Sequence, residues 1–111
     1  MKLTFMPRIE EVDCKEWNLE ENVKVYVKEP TAAEYAIFEN LIDSLVKSSD
    51  QKVYAKIAVM FCVDGKGSKL FTNDFLDVLM NSSSKPLRRI AEKITELVKL
   101  DDSKMESLEK N

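Results

Sequence analysis

The sequence predicts an α+β fold, mainly helical, with an N-terminal β-hairpin packed on three to four helices. Three observations carry this. Val23, Val25 and Val27 alternate with Lys24, Tyr26 and Lys28, the two-residue period of a strand buried on one face. Two later stretches repeat apolar residues at three- and four-residue spacing, the mark of amphipathic helices. One of them opens on a capping box at Thr31 and Glu34, the other on Pro86, whose missing amide costs nothing in a first helical turn.

Upstream of the valine strand, Ile9 to Trp17 is charged enough for an edge strand, with Val12 and Cys14 facing inward. The turn between them is expected at Asn18-Leu19-Glu20-Glu21-Asn22. An isolated hairpin is marginal in water, so it must lie on helices. Pro30 ends the second strand. The first helix then carries Tyr35, Phe38, Leu41, Ile42 and Leu45 on one stripe and frays at Ser48-Ser49-Asp50. Gln51 to Val63 fits two patterns. Val53, Ile57, Met60 and Phe61 share a helical face, while Val53, Ala55, Ile57, Val59, Phe61 and Val63 alternate; the length favours a buried helix. Asp64-Gly65-Lys66-Gly67-Ser68 reads as a turn, and Thr72 or Asn73 as the cap of a short helix through Phe75, Leu76, Val78, Leu79 and Met80. After a Ser82–Lys85 linker, Leu87, Ile90, Ala91, Ile94, Leu97 and Val98 line one face of the last helix. The pattern lapses beyond Leu100, so residues 1–100 are expected to form a single domain and 101–111 a mobile polar tail.

Composition closes most catalytic routes. The chain has 111 residues, 44% hydrophobic and 33% charged, enough for a core without covalent staples. With no histidine, there is no imidazole base, no Ser-His or Cys-His nucleophile and no histidine metal ligand. Two glycines cannot build a dinucleotide fingerprint or a phosphate-cradling loop. Cys14 and Cys62 sit in apolar segments without a CxxC pair, which excludes a zinc site and points to a reduced, cytoplasmic protein. Pro7 and Glu10-Glu11 come too early for a signal peptide, and the longest apolar run, Ile57 to Val63, is too short for a membrane span. The carboxylate pairs Glu10-Glu11, Glu20-Glu21 and Asp101-Asp102 lie in polar stretches with nothing to raise a pKa. Asp64 to Phe75 has the outline of a calcium loop. Lys66, Lys69 and Phe75, however, stand where a ligand, a glycine and a bidentate glutamate are needed. No catalytic residue, metal ligand or cofactor site is therefore expected.

A formal net charge of −3 argues against nucleic-acid binding. The last helix is nonetheless mildly basic, through Lys85, Arg88, Arg89, Lys93 and Lys99. Trp17, the single tryptophan, suits a lid over the edge of the core better than an interface anchor.

Taken in order, the segments resemble a known family. Val12-Asp13-Cys14-Lys15-Glu16-Trp17 precedes Val23-Lys24-Val25-Tyr26-Val27-Lys28-Glu29-Pro30-Thr31-Ala32-Ala33-Glu34. An apolar segment then runs into Val63-Asp64-Gly65-Lys66-Gly67-Ser68-Lys69-Leu70-Phe71, a short helix and a final amphipathic helix. This order is similar to that of the tail assembly chaperones of long-tailed bacteriophages and prophages, over roughly Ile9 to Leu100. Lys28, Pro30 and Gly67 depart from the family pattern. The resemblance implies a non-enzymatic protein that binds the tape-measure protein, promotes assembly of tail-tube subunits and is absent from the mature virion. It also implies a longer form made by programmed frameshift. The partners would be the tape-measure and tail-tube proteins, with self-association left open and no membrane. A helical client would be met by an apolar groove, for which Leu79, Met80, Leu87 and Arg88 are the expected contacts, the basic last helix steering acidic stretches of the partner. The alternatives are a small nucleic-acid-associated regulator of a mobile element and a structural tail-completion protein.

Overall fold

The computed structural model describes residues 1–99; the polar tail expected over 101–111 lies outside the described residues. Among these residues the architecture is α+β, with four α-helices and a three-stranded antiparallel sheet. β1 (Ile9–Val12) and β2 (Val25–Lys28) pair as the expected antiparallel hairpin, Val12 opposite Val25 and Ile9 opposite Lys28. The Glu29 amide extends the ladder by donating to the Arg8 carbonyl at 2.7 Å.

The connection between these strands is longer than the sequence pattern suggests. β1 stops at Val12 because the Asp13 carboxylate accepts the Lys15 amide at 3.1 Å, and a 3-10 turn follows over Lys15–Trp17. Cys14 is buried as expected, but it is not in a strand. Val23 precedes β2 rather than belonging to it and is exposed, whereas Val25 and Val27 are buried.

α1 (Ala32–Ser48) begins on the expected capping box. Thr31 Oγ1 accepts the Glu34 amide at 3.1 Å, and Glu34 Oε1 accepts the Thr31 amide at 2.9 Å. The other Glu34 oxygen meets Lys28 Nζ at 2.9 Å, which ties the helix start to the end of β2. Burial works to raise the Glu34 carboxyl pKa, but the Thr31 amide and the Lys28 ammonium hold it below the usual range. The helix ends at Ser49, whose left-handed backbone (φ 55°) returns its amide to the Leu45 carbonyl.

The ambiguous segment is both things in succession. α2 (Lys52–Phe61) is a helix, and β3 (Cys62–Val63) then pairs with β2, Cys62 opposite Val27 and Val63 opposite Tyr26. The dual pattern has a physical cause. α2 lies at the centre of the fold, packed by α1, α3 (Leu76–Met80) and α4 (Ser84–Val98), so Val53, Ala55, Ile57, Ala58, Val59 and Phe61 are all buried. A helix covered on several sides loses the one-sided stripe that distinguishes helix from strand.

The turn after β3 uses Asp64 as a backbone clamp. Its carboxylate accepts the amides of Lys66 and Ser68, both at 2.9 Å, and these bonds (Ser68 first) lower its pKa. The oxygen that a calcium loop would present is thus spent on the chain itself. Gly67 sits at φ +86°, where a side chain would be strained. The short helix is preceded by a 3-10 turn, Asn73–Phe75, and its start carries no side-chain cap from Thr72 or Asn73. α4 presents Leu87, Ile90, Ala91, Ile94 and Leu97 to the core in the expected stripe. Cys14 and Cys62 are unbridged; burial pushes the Cys14 thiol up to about 12 and that of Cys62 higher still, so both stay protonated and unreactive in the folded state. No helix among the described residues is long and apolar enough to cross a membrane.

Candidate docking surfaces

α4 works on three flanks. Its apolar stripe faces the core, a second flank ties down the β1–β2 connection, and a third borders an open groove. On the second flank, Arg89 grips Glu16 through two bonds, at 2.6 and 2.7 Å, and also donates to the Asp13 carbonyl at 2.9 Å. Lys93 bridges Glu10 at 3.4 Å and Glu96 at 3.2 Å. Two of the cations that make this helix basic in sequence are therefore committed within the chain, so the helix offers less positive surface to an acidic partner or to phosphate than its composition suggests.

The Arg89 guanidinium, hydrogen-bonded to Glu16, holds that carboxyl at about 2. An unfolded glutamate titrates near ~4.3. A depressed folded value makes this contribution fully present above the unfolded pKa and lost as pH falls through the folded one. Glu16→Gln is accordingly expected to lower the urea midpoint at neutral pH, and the gap from the parent should close between pH ~4 and ~2. A gap that stays constant through that window would show that the ion pair is not its source.

On the third flank, a groove of about 480 Å³ runs between α1 and α4 over α2. Its floor is aromatic and apolar: Tyr35 stacks on Phe38 with centroids 5.8 Å apart, and Tyr54 and Ala91 complete it. Arg88 lies over the Tyr54 ring at 5.6 Å. Glu39 and Asp43 from α1 and Glu92 from α4 stand along the rim, and none is in an ion pair among the described residues. The rim is thus acidic on balance, three carboxylates against one guanidinium.

A second apolar surface is the α3 region. Phe75 and Val78 are 42% and 59% exposed, and Met80 is half-buried beside Lys52 and Lys56. The four expected contact residues do not converge. Leu79 and Leu87 are core residues, 3% and 5% exposed, Met80 belongs to the α3 surface, and Arg88 belongs to the α1–α4 groove. Spacing placed all four on helical faces but could not show which face turns inward. The acidic rim went unread because its members come from two helices distant in sequence. Among the described residues, no group of three or more His, Cys, Asp or Glu side chains is arranged to hold a metal ion.

The solved structure of the bacteriophage HK97 tail assembly chaperone matches this architecture with a TM-score of 0.60, over 91% of this chain and 90% of that one. The fold is that of a tail assembly chaperone. Sequence identity across the match is 18%, so the likeness carried by the order of the segments is a likeness of fold. The tail-assembly-chaperone fold here comprises the hairpin, the buried α2 and the amphipathic α4, which together position both surfaces. No protein-family model and no curated protein sequence matches the chain.

Proposed function

We propose that this protein is a tail assembly chaperone of a long-tailed phage or prophage. It binds the tape-measure protein in the host cytoplasm, keeps that long helical client soluble, promotes assembly of tail-tube subunits around it and is left out of the finished particle. It acts without catalysis, and a longer form arises by programmed frameshift. The observation that carries this reading is the fold shared with the HK97 tail assembly chaperone over nine-tenths of both chains. The exposed apolar side chains of α3 support it, because an amphipathic client helix needs an apolar face to lie on. On this reading Met80 meets the client together with Phe75 and Val78, and Arg88, in the α1–α4 groove, lies outside that contact.

Sequencing the flanking DNA is expected to reveal a long, helix-rich reading frame, and co-expression with its product tests the proposal. The client is expected to be soluble and to co-purify with the parent, and to precipitate with Val78→Glu, a substitution at an exposed site that leaves the circular dichroism spectrum unchanged. Leu87→Glu would not serve, because it places a charge in the core. A client that is insoluble with the parent, or finding the protein in purified virions by mass spectrometry, would overturn the reading; the latter would favour a structural tail-completion role.

A further inference from the structure

We propose that the N-terminal arm, residues 1–8, docks in the α1–α4 groove of a second copy of this chain. The arm runs outside the sheet and carries Leu3, Phe5 and Met6 at 91%, 51% and 87% exposure. Apolar side chains this exposed and this close in sequence form a contact surface without a partner, at a cost to solubility that an occupant would remove. Its cations are Lys2 and Arg8, with no carboxylate; Arg8 already meets Glu10 at 3.0 Å, which leaves Lys2 as the arm's side-chain cation for a partner. The groove is the complement on both counts, an aromatic floor of Tyr35, Phe38 and Tyr54 beneath a rim dominated by Glu39, Asp43 and Glu92. Phe5 is the natural anchor, since aromatic side chains in such pockets carry much of the energy of an interface. The carboxylates then face Lys2 and favour the arm's approach.

The arm's point of departure favours a second copy over the chain's own groove. Arg8 is pinned beside β2 by its carbonyl's bond from the Glu29 amide, and the adjoining Glu10 meets Lys93 on the flank of α4 away from Arg88. To fill its own groove, the arm would have to reverse from the β1 edge and cross α4 over Glu92, which borders both the groove and the β1 flank. The inference stands independently of the chaperone reading, since it concerns a contact of the chain with itself.

Sedimentation equilibrium of the full chain over micromolar to millimolar concentrations tests it. The parent is expected to exceed monomer mass as concentration rises, and to dissociate at least about tenfold more readily in high salt, which screens the rim. Phe5→Glu in the arm, and Glu39→Lys with Asp43→Lys on the rim, should each give a monomer with an unchanged circular dichroism spectrum. A capped peptide of residues 1–8, fluorescently labelled, should bind the Phe5→Glu protein and not the rim variant. A parent that remains monomeric throughout would overturn the proposal, whether the arm folds back or stays free. Association that survives both sets of substitutions, or a peptide that binds neither protein, would overturn it too, leaving the groove to another occupant.

Discussion

Phe61→Ala is expected to cost about 3–5 kcal/mol. Phe61 closes α2, is fully buried, and meets the Phe38 ring edge-on with centroids 6.1 Å apart and planes at 81°. Phe38 is the one buried residue of α1, a helix that leaves Ile37 and Val46 in water. Truncating Phe61 therefore opens a cavity at the centre of the core and removes the surface on which α1 is seated. Urea unfolding followed by circular dichroism measures the loss. A double-mutant cycle with Phe38→Ala should return a coupling of ~0.5–1.5 kcal/mol for the edge-on pair. A total cost below ~1 kcal/mol would mean that the α1–α2 contact does not hold the core as described.

Trp17→Ala is the second large effect, expected at about 3 kcal/mol, the low end for a large aromatic because the ring is only partly buried. The indole lies edge-on to Phe71, with centroids 5.8 Å apart and planes at 85°, and its N–H donates to the Ser83 carbonyl at 3.1 Å. One side chain thus joins the β1–β2 connection, the segment after the glycine turn and the start of α4. Trp17→Phe keeps most of the ring contact and loses the hydrogen bond, so it should cost nearer ~1 kcal/mol. The ordering of the two variants is the test. Equal losses would show that the bond to Ser83, not the packing, dominates.

These two aromatics also show where sequence reading succeeds and stops. Trp17 reads as a lid because a lone amphipathic ring beside a polar turn has few better uses, and it closes over Phe71. Phe61 reads as core in either secondary structure, so its burial was legible even while its conformation was not. β3 was hidden for a related reason: two residues carry no period, and only pairing with Val27 and Tyr26 makes Cys62 and Val63 a strand. The early end of β1 was only half legible, since the Asp13–Lys15 bond is local while Arg89, far along the chain, also holds the Asp13 carbonyl and Glu16.

By itself the sequence determined the features whose causes lie within a few residues. These are the Thr31–Glu34 box, the stripe of α4, the glycine turn at Gly67, the antiparallel pairing of the first two strands, and the exclusion of histidine chemistry. Hydrogen bonds between near neighbours and the helical period are local, so they can be read locally. Tertiary structure alone decided which apolar faces turn inward, sending Leu79 and Leu87 to the core while leaving Val78 in solvent. It also brought Glu39, Asp43 and Glu92 around one aromatic floor, and it spent the cations Arg89 and Lys93 on the β1 side of α4. Those outcomes depend on contacts between elements distant along the chain, where burial of one surface fixes the exposure of another, and no local pattern encodes that choice.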